Sequence, residues 1–217
     1  MGIVHNMDLL CAAIIEGKHI VAEEQTKRLL EVGAEPKDIL DRGLMTAMNT
    51  VGVRFKEGRI FVPQVLVSAR AMKTAMNLLE PLLASSLHKA RGKVMLGTVK
   101  GDIHDIGKNL VGIMLRGAGY DVIDIGTGCN AEDFVSLHEL HKPDVVGISA
   151  LLTTTMMYMK TIVEEFVAKG ISTPIIIGGA PVTSRFADEI GAAAYARNAS
   201  DAVELVGSLI RPSTDFP

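Results

Sequence analysis

From Lys93 onward the sequence alternates short runs of aliphatic and β-branched residues with segments of helix length, and few folds accept that grammar. The runs are Val94–Val99, Val122–Ile125, Val145–Ser149, Pro174–Ile177 and Ala193–Tyr195. Each is too short for a helix, and the longer ones are apolar almost without interruption, as expected of strands buried on both faces. Helical segments are expected from the end of a polar loop to about Ala118, from a cap at Asn130 through His138, from about Thr155 to Ala168, and from Ala202 to Ile210. Five strands interleaved with helices predict a parallel, doubly wound α/β sheet.

A flavodoxin-like order 2-1-3-4-5 sets the first and third strands on either side of the switch point, where ligands bind outside the carboxyl ends. The loop after the first strand then lies beside the Ser149 loop and, one strand further on, the Gly178–Gly179 loop. That first loop, Gly101–Asn109, places one imidazole and two carboxylates (Asp102, His104, Asp105) within four residues. It is not a phosphate-binding P-loop, which needs four residues between its glycines and a hydroxyl after the lysine. Here five residues separate Gly101 from Gly107, and Asn109 follows Lys108. Nor does a G-x-G-x-x-G dinucleotide fingerprint open the following helix. What remains is Asp-x-His-x-x-Gly, in which His104 can point outward as a metal ligand while Asp102 orients it from behind. Taken alone, the pattern also describes a loop histidine that caps a helix.

The first ~85 residues read differently. Asn6 can cap a segment carrying Leu9, Leu10, Ala13 and Ile14 that stops at Gly17. A second runs from Ile20 to Val32, and Pro36 suits the first turn of a third, with Leu40, Leu44, Met48, Val51 and Phe55 on one stripe. A fourth begins near Pro63 and carries Val65, Ala69, Met72, Met76, Leu79 and Leu83. Four helices with short joints predict a four-helix bundle, equally suited to an interaction module. The polar stretch Ser85–Gly92 marks the boundary, giving a helical domain over 1–88 and an α/β domain over 93–217.

Composition removes several function classes. A net charge of -3 without clustered Lys/Arg gives no reason to expect nucleic acid. No apolar run approaches the ~18 residues of a membrane span. Met1–Asn6 lacks the regions of a signal peptide, so a cytoplasmic protein is expected. The two cysteines, Cys11 and Cys129, are far apart and indicate neither a disulfide framework nor a thiolate zinc site. His138 and His141 stand three apart on a helix, a spacing compatible with a metal but without a third ligand nearby. The 11 methionines suit irregular core packing, or the lining of a large cofactor or re-docking interface.

Asp102-x-His104-x-x-Gly107, with Ser149-Ala-Leu151, Thr153, Thr155 and Gly178-Gly179-Ala180 in the later loops, resembles the methyl-carrying corrinoid proteins of methanogens and acetogens and the cobalamin-binding region of methionine synthase. The resemblance covers nearly the whole chain, to Leu209. It implies a cobalamin cofactor whose own base swings away while His104 takes its place on cobalt. It implies contacts from Gly101, Asp102, Asp105, Ile106 and Gly107 in the same loop, and a relay cobalt–His104–Asp102–Thr155. The detached nucleotide tail would thread a slot opened by Gly178, Gly179 and Ala180, with Ser149 bonding its base and Leu151 packing on it. Thr153 and Thr155 can equally be helix caps. Glu57–Met72 resembles the cap over the cofactor's upper face, with Phe61 guarding the methyl group.

The implied function is methyl transfer. A substrate-specific methyltransferase would load the cobalt, and a second would pass the methyl group to coenzyme M or tetrahydrofolate. A reductive activation protein would be a further partner, and the donor would be a methylamine or quaternary amine. His104 would leave and rejoin the cobalt each turnover, with Asp102 buffering the proton. Gly126–Asn130 departs from the Val-Pro pair of many relatives, and this loop could face a partner. A cobalamin-dependent sensor is the alternative, against which stand the lack of a basic patch and of any Trp. The binding subunit of an adenosylcobalamin mutase would lack the helical segment before residue 93.

Overall fold

The computed structural model describes residues 2–83 and 90–210. Ser85–His88 of the expected boundary, and residues 211–217, lie outside the described residues. The chain divides into two compact units, a helical one reaching to Ala90 and an α/β one from Arg91 on.

The helical unit contains α1 (Ile3–Ile15), α2 (His19–Glu31), α3 (Pro36–Asp38), α4 (Thr46–Lys56) and α5 (Val62–Leu83). Asn6 is not the cap of α1. The cap lies four residues earlier, at Gly2, without a side-chain bond, and the His5 and Asn6 amides both bond the Gly2 carbonyl. The expected third helix is one helical run interrupted by a π-helical segment, Ile39–Met45, between α3 and α4. That segment holds Gly43 against α1, where an added Cβ would come within 3.0 Å of Leu10 and Met7. Wide i→i+5 turns of this kind carry little sequence signal of their own. On α5 the buried stripe is Val65, Ser68, Met72, Ala75, Leu79 and Leu83, with Ala71. Ala69 and Met76, expected at its centre, are half-buried flanks. Small Ser68 takes the inward position because its hydroxyl donates to the Ile15 carbonyl at the end of α1 (3.1 Å).

The α/β unit runs β1 (Lys93–Thr98), α6 (Ile106–Gly117), β2 (Asp121–Asp124), α7 (Ala131–His141), β3 (Val145–Ser149), α8 (Thr153–Met156), α9 (Tyr158–Ala168), β4 (Ile175–Gly178), α10 (Ser184–Ile190), β5 (Ala194–Ala196) and α11 (Ala199–Leu209). The sheet is parallel throughout, in the order β2-β1-β3-β4-β5 expected from the sequence. Strand ends moved by one residue at most positions, and β3 is as read. The helix expected from Thr155 is two pieces, α8 and α9. The short α10 was not anticipated, because seven residues are too few to establish a period. Asn130 caps α7 as expected, in a box with Asp133 that satisfies two backbone amides. The core is built from β1, β3 and β4 with Phe134 and Phe166, both fully buried, from α7 and α9.

Register decides where the loops emerge. Thr98 pairs with Ser149, and Ser149 with Gly178, so three strands end in one row. The loops after β1, β3 and β4 therefore leave the sheet side by side.

Candidate functional site at the carboxyl ends of the strands

The loop after β1 turns at Gly101 (φ +81°) and buries Asp102 completely. The Asp102 carboxylate accepts on both oxygens. Oδ1 takes the His104 backbone amide (3.0 Å) and His104 Nδ1 (2.7 Å). Oδ2 takes the Thr155 hydroxyl (2.6 Å) and the amides of Leu151 (2.8 Å) and Leu152 (3.4 Å). Burial by itself pushes this carboxyl's pKa up. The hydrogen bonds from Thr155, Leu151 and His104 outweigh it and hold the group well below the usual carboxylate range. Asp102 is thus an anion that only accepts, so the network assigns the Nδ1 proton to the imidazole. In the neutral tautomer Nε2 is then the lone-pair nitrogen, on a side chain 46% exposed.

Thr155 reaches Asp102 from α8 as the sequence reading assigned, 53 residues away in the chain. It is not the cap of that helix, and neither is Thr153. The cap residue is Leu152, without a side-chain bond, and Thr153 is exposed at the first helical position. Ser149 ends β3, half-buried, with its carbonyl bonded to the Val99 amide. Leu151 is exposed while its amide holds Asp102. Asp105 and Gly107 are exposed, and the space beside Gly107 is open. Gly178 and Gly179 lie against the end of β3, with exposed Ala180 after them. At Gly179 (φ +131°) an added Cβ would stand 1.8 Å from the Ala150 carbonyl oxygen, so no other residue fits. Phe61 belongs to the helical unit, where it is 66% exposed and its amide bonds Gln64 Oε1.

What could the exposed imidazole hold? A bare ion needs three or four protein donors, and among the described residues no group of three or more His, Cys, Asp or Glu could hold one. His138 is no ligand either: its Nε2 is bonded to Thr173 Oγ1 (2.7 Å), and burial pushes its pKa down. The His104 site thus offers one exposed imidazole beside exposed apolar side chains of the same loop. Ile103 and Ile106 of the same loop are 79% and 77% exposed, and Leu151, Leu152 and Met157 are also exposed. Apolar side chains are not held in water without an occupant on that scale. The arrangement fits a metal that brings its own macrocycle.

Comparison with known proteins agrees. Two profiles described as "B12 binding domain" match residues 92–206 and 7–80. The chain belongs to the B12-binding corrinoid proteins. It is 42% identical over 209 residues to a corrinoid protein of Desulfitobacterium hafniense strain Y51, covering 94% of this chain and 97% of the relative. It is 40% identical over 211 residues to dimethylamine corrinoid protein 3 of Methanosarcina acetivorans, covering 96% and 97%. Among solved structures, the methanol:cobalamin methyltransferase complex of Methanosarcina barkeri contains a chain that matches with a TM-score of 0.88 at 32% identity, over 97% of this chain and 81% of that one. This corrinoid protein is therefore a component of the cobalamin-dependent methyltransferase class, and cobalamin is its cofactor.

Several groups that build the corrinoid protein's site were not read from the sequence. The Leu151 and Leu152 amides hold Asp102, and the Gly128 amide donates to the Asp102 carbonyl (3.0 Å). Backbone donors carry no residue identity, so no sequence signal marks them. The Thr98 hydroxyl, bonded to the His104 carbonyl (3.1 Å), sits at the strand end and could have been noticed there. The Gly126–Asn130 loop packs behind Asp102, and Cys129 within it is buried. Its thiol is pushed up by burial and by Asp133.

Proposed function

We propose that this protein is a methyl carrier in which His104 Nε2 would hold the corrinoid cobalt. The observation that carries the reading is the exposed imidazole, fixed by the Asp102–Nδ1 bond, in a loop whose Ile103 and Ile106 are also exposed. When bound, the corrinoid supplies a cobalt centre that takes up and gives away a methyl group. Asp102 and Thr155 hold the ring in one orientation and keep its proton on Nδ1. Asp102 would keep the ring in that orientation whenever His104 holds the metal. Gly101, Asp105 and Gly107 would leave room at the ring's edge. Ser149, Leu151, Thr153, Gly178, Gly179 and Ala180 would line the slot for the cofactor's detached tail.

Residues 1–88 would act as the cap domain and 93–217 as the cobalamin domain, with exposed Phe61 shielding the methyl group. The partners would be a substrate-specific methyltransferase, a second methyltransferase to coenzyme M or tetrahydrofolate, and a reductive activation protein. A methylamine or quaternary amine is the donor we favour, supported by the likeness to the dimethylamine corrinoid protein.

The test compares wild type with His104→Ala after loading with hydroxocobalamin and desalting. Wild type should stay coloured, with bands shifted relative to the variant. Identical spectra would remove His104 as the ligand, and colourless wild type would remove the carrier reading altogether.

A further inference from the structure

We propose that Lys108 and Asp124 form a second anchor of the ligand loop and act as positioning residues for His104. The proposal deepens the reading above and depends on His104 being the cobalt ligand. Within Gly101–Asn109 only two residues are buried, Asp102 at 0% exposure and Lys108 at 5%. Both carry charge. The Asp102 anchor is accounted for by the imidazole it holds. Lys108 touches no part of that network, yet its Nζ lies 2.5 Å from both Asp124 oxygens and 3.2 Å from Asn109 Oδ1.

Stability alone is a poor reason for this pair. Lys108 stands in the first turn of α6, where a cation opposes the helix dipole. The Lys108 side chain is 4% exposed and that of Asp124 32%, so the desolvation of the ammonium is set against an attraction partly screened by water. A pair of this kind is better explained by the geometry it imposes.

The geometry leads back to His104 from two sides. Lys108 fixes the start of α6, which begins two residues after His104. Asp124 ends β2, and the chain beyond it passes behind Asp102. Asp124 Oδ1 accepts the Gly126 amide (2.9 Å), and the Gly126 carbonyl accepts the Thr98 amide (3.0 Å). Gly128 N donates to the Asp102 carbonyl (3.0 Å), and Cys129 N to the Thr98 carbonyl (2.9 Å). Thr98 in turn donates its hydroxyl to the His104 carbonyl. Gly126 and Gly128 have φ of +91° and +71°, so this segment is a glycine path with many alternatives when unclamped. The Lys108–Asp124 pair closes the loop by tying the segment after His104 to the segment behind Asp102.

The experiment measures hydroxocobalamin affinity and the visible spectrum for wild type, His104→Ala, Lys108→Met, Lys108→Arg, Asp124→Asn and the double variant His104→Ala/Lys108→Met. Lys108→Met and Asp124→Asn should each weaken binding about tenfold and move the spectrum toward that of His104→Ala, a loss in the range of one buried charged contact. Lys108→Arg should recover part of both. In the His104→Ala background, Lys108→Met should cost nothing more, because its effect passes through the imidazole. Wild-type affinity and spectrum in both single variants would overturn the proposal. Additive weakening in the double variant would also overturn it, since that marks a contact with the cofactor or a general packing role. If Lys108→Met does not fold, Asp124→Asn decides by the same spectral criterion. Identical spectra in wild type and His104→Ala would instead remove His104 as the ligand, the reading on which this proposal rests.

Discussion

Asp102 shows how much one residue can be asked to do. It is buried, ionised and saturated by five donors, and a hydrogen bond to a charged group is worth about 1.5–3 kcal/mol. Asp102→Asn turns an all-acceptor group into one that must point an amide at other donors. It should cost at least about 2 kcal/mol in urea unfolding at neutral pH. The sign with pH follows from the depressed pKa. The carboxylate's contribution is complete above the ordinary aspartate value of about 4, and is lost only as pH falls below it toward the lower folded value. The gap between wild type and variant should therefore stay flat from pH 5 to 8 and shrink in acid. Gly179 is constrained by space instead. Gly179→Ala drives a methyl into the Ala150 carbonyl and should lower stability by about 3 kcal/mol or leave the chain unfolded on expression, read by circular dichroism.

At the scale of elements, α7 illustrates local signals that survive into the fold. Asn130 was readable as a start signal, and its reciprocal bonds with Asp133 close the first turn. Asn130→Ala should cost about 1 kcal/mol in thermal or urea unfolding. The capping box also fixes the end of the loop that runs behind Asp102. Elements whose form depends on a neighbour were less legible. The π-helical Ile39–Met45 appears where Gly43 meets α1, and the Cys11 thiol of α1 donates to its Gly43 carbonyl (3.3 Å). Asn6 looked like a cap because polar residues favour such places, but Ile3 and Val4 continue the helix in front of it. The inward turn of Ser68 depends on a carbonyl 53 residues away in the chain.

For the whole molecule, cofactor binding and stability are linked. Free hydroxocobalamin at a hundred times its Kd should stabilise the α/β unit by about 2.7 kcal/mol, seen as a rise in melting temperature. His104→Ala should give a smaller rise at the same concentration. Among the described residues no helix is long and apolar enough to cross a membrane.

The sequence by itself pointed to the parallel α/β class and the strand order, and its resemblance to corrinoid proteins singled out His104, Asp102 and Thr155. It could do so because apolar period and motif spacing are local properties. Only the tertiary structure decided that the Leu151 and Leu152 amides complete the Asp102 cage. It alone showed that Gly179 faces the Ala150 carbonyl and that Lys108 reaches Asp124. Each of those facts joins residues from different strand ends. The register of a parallel sheet, which sets such neighbours, is a property of paired strands that no single stretch of chain contains.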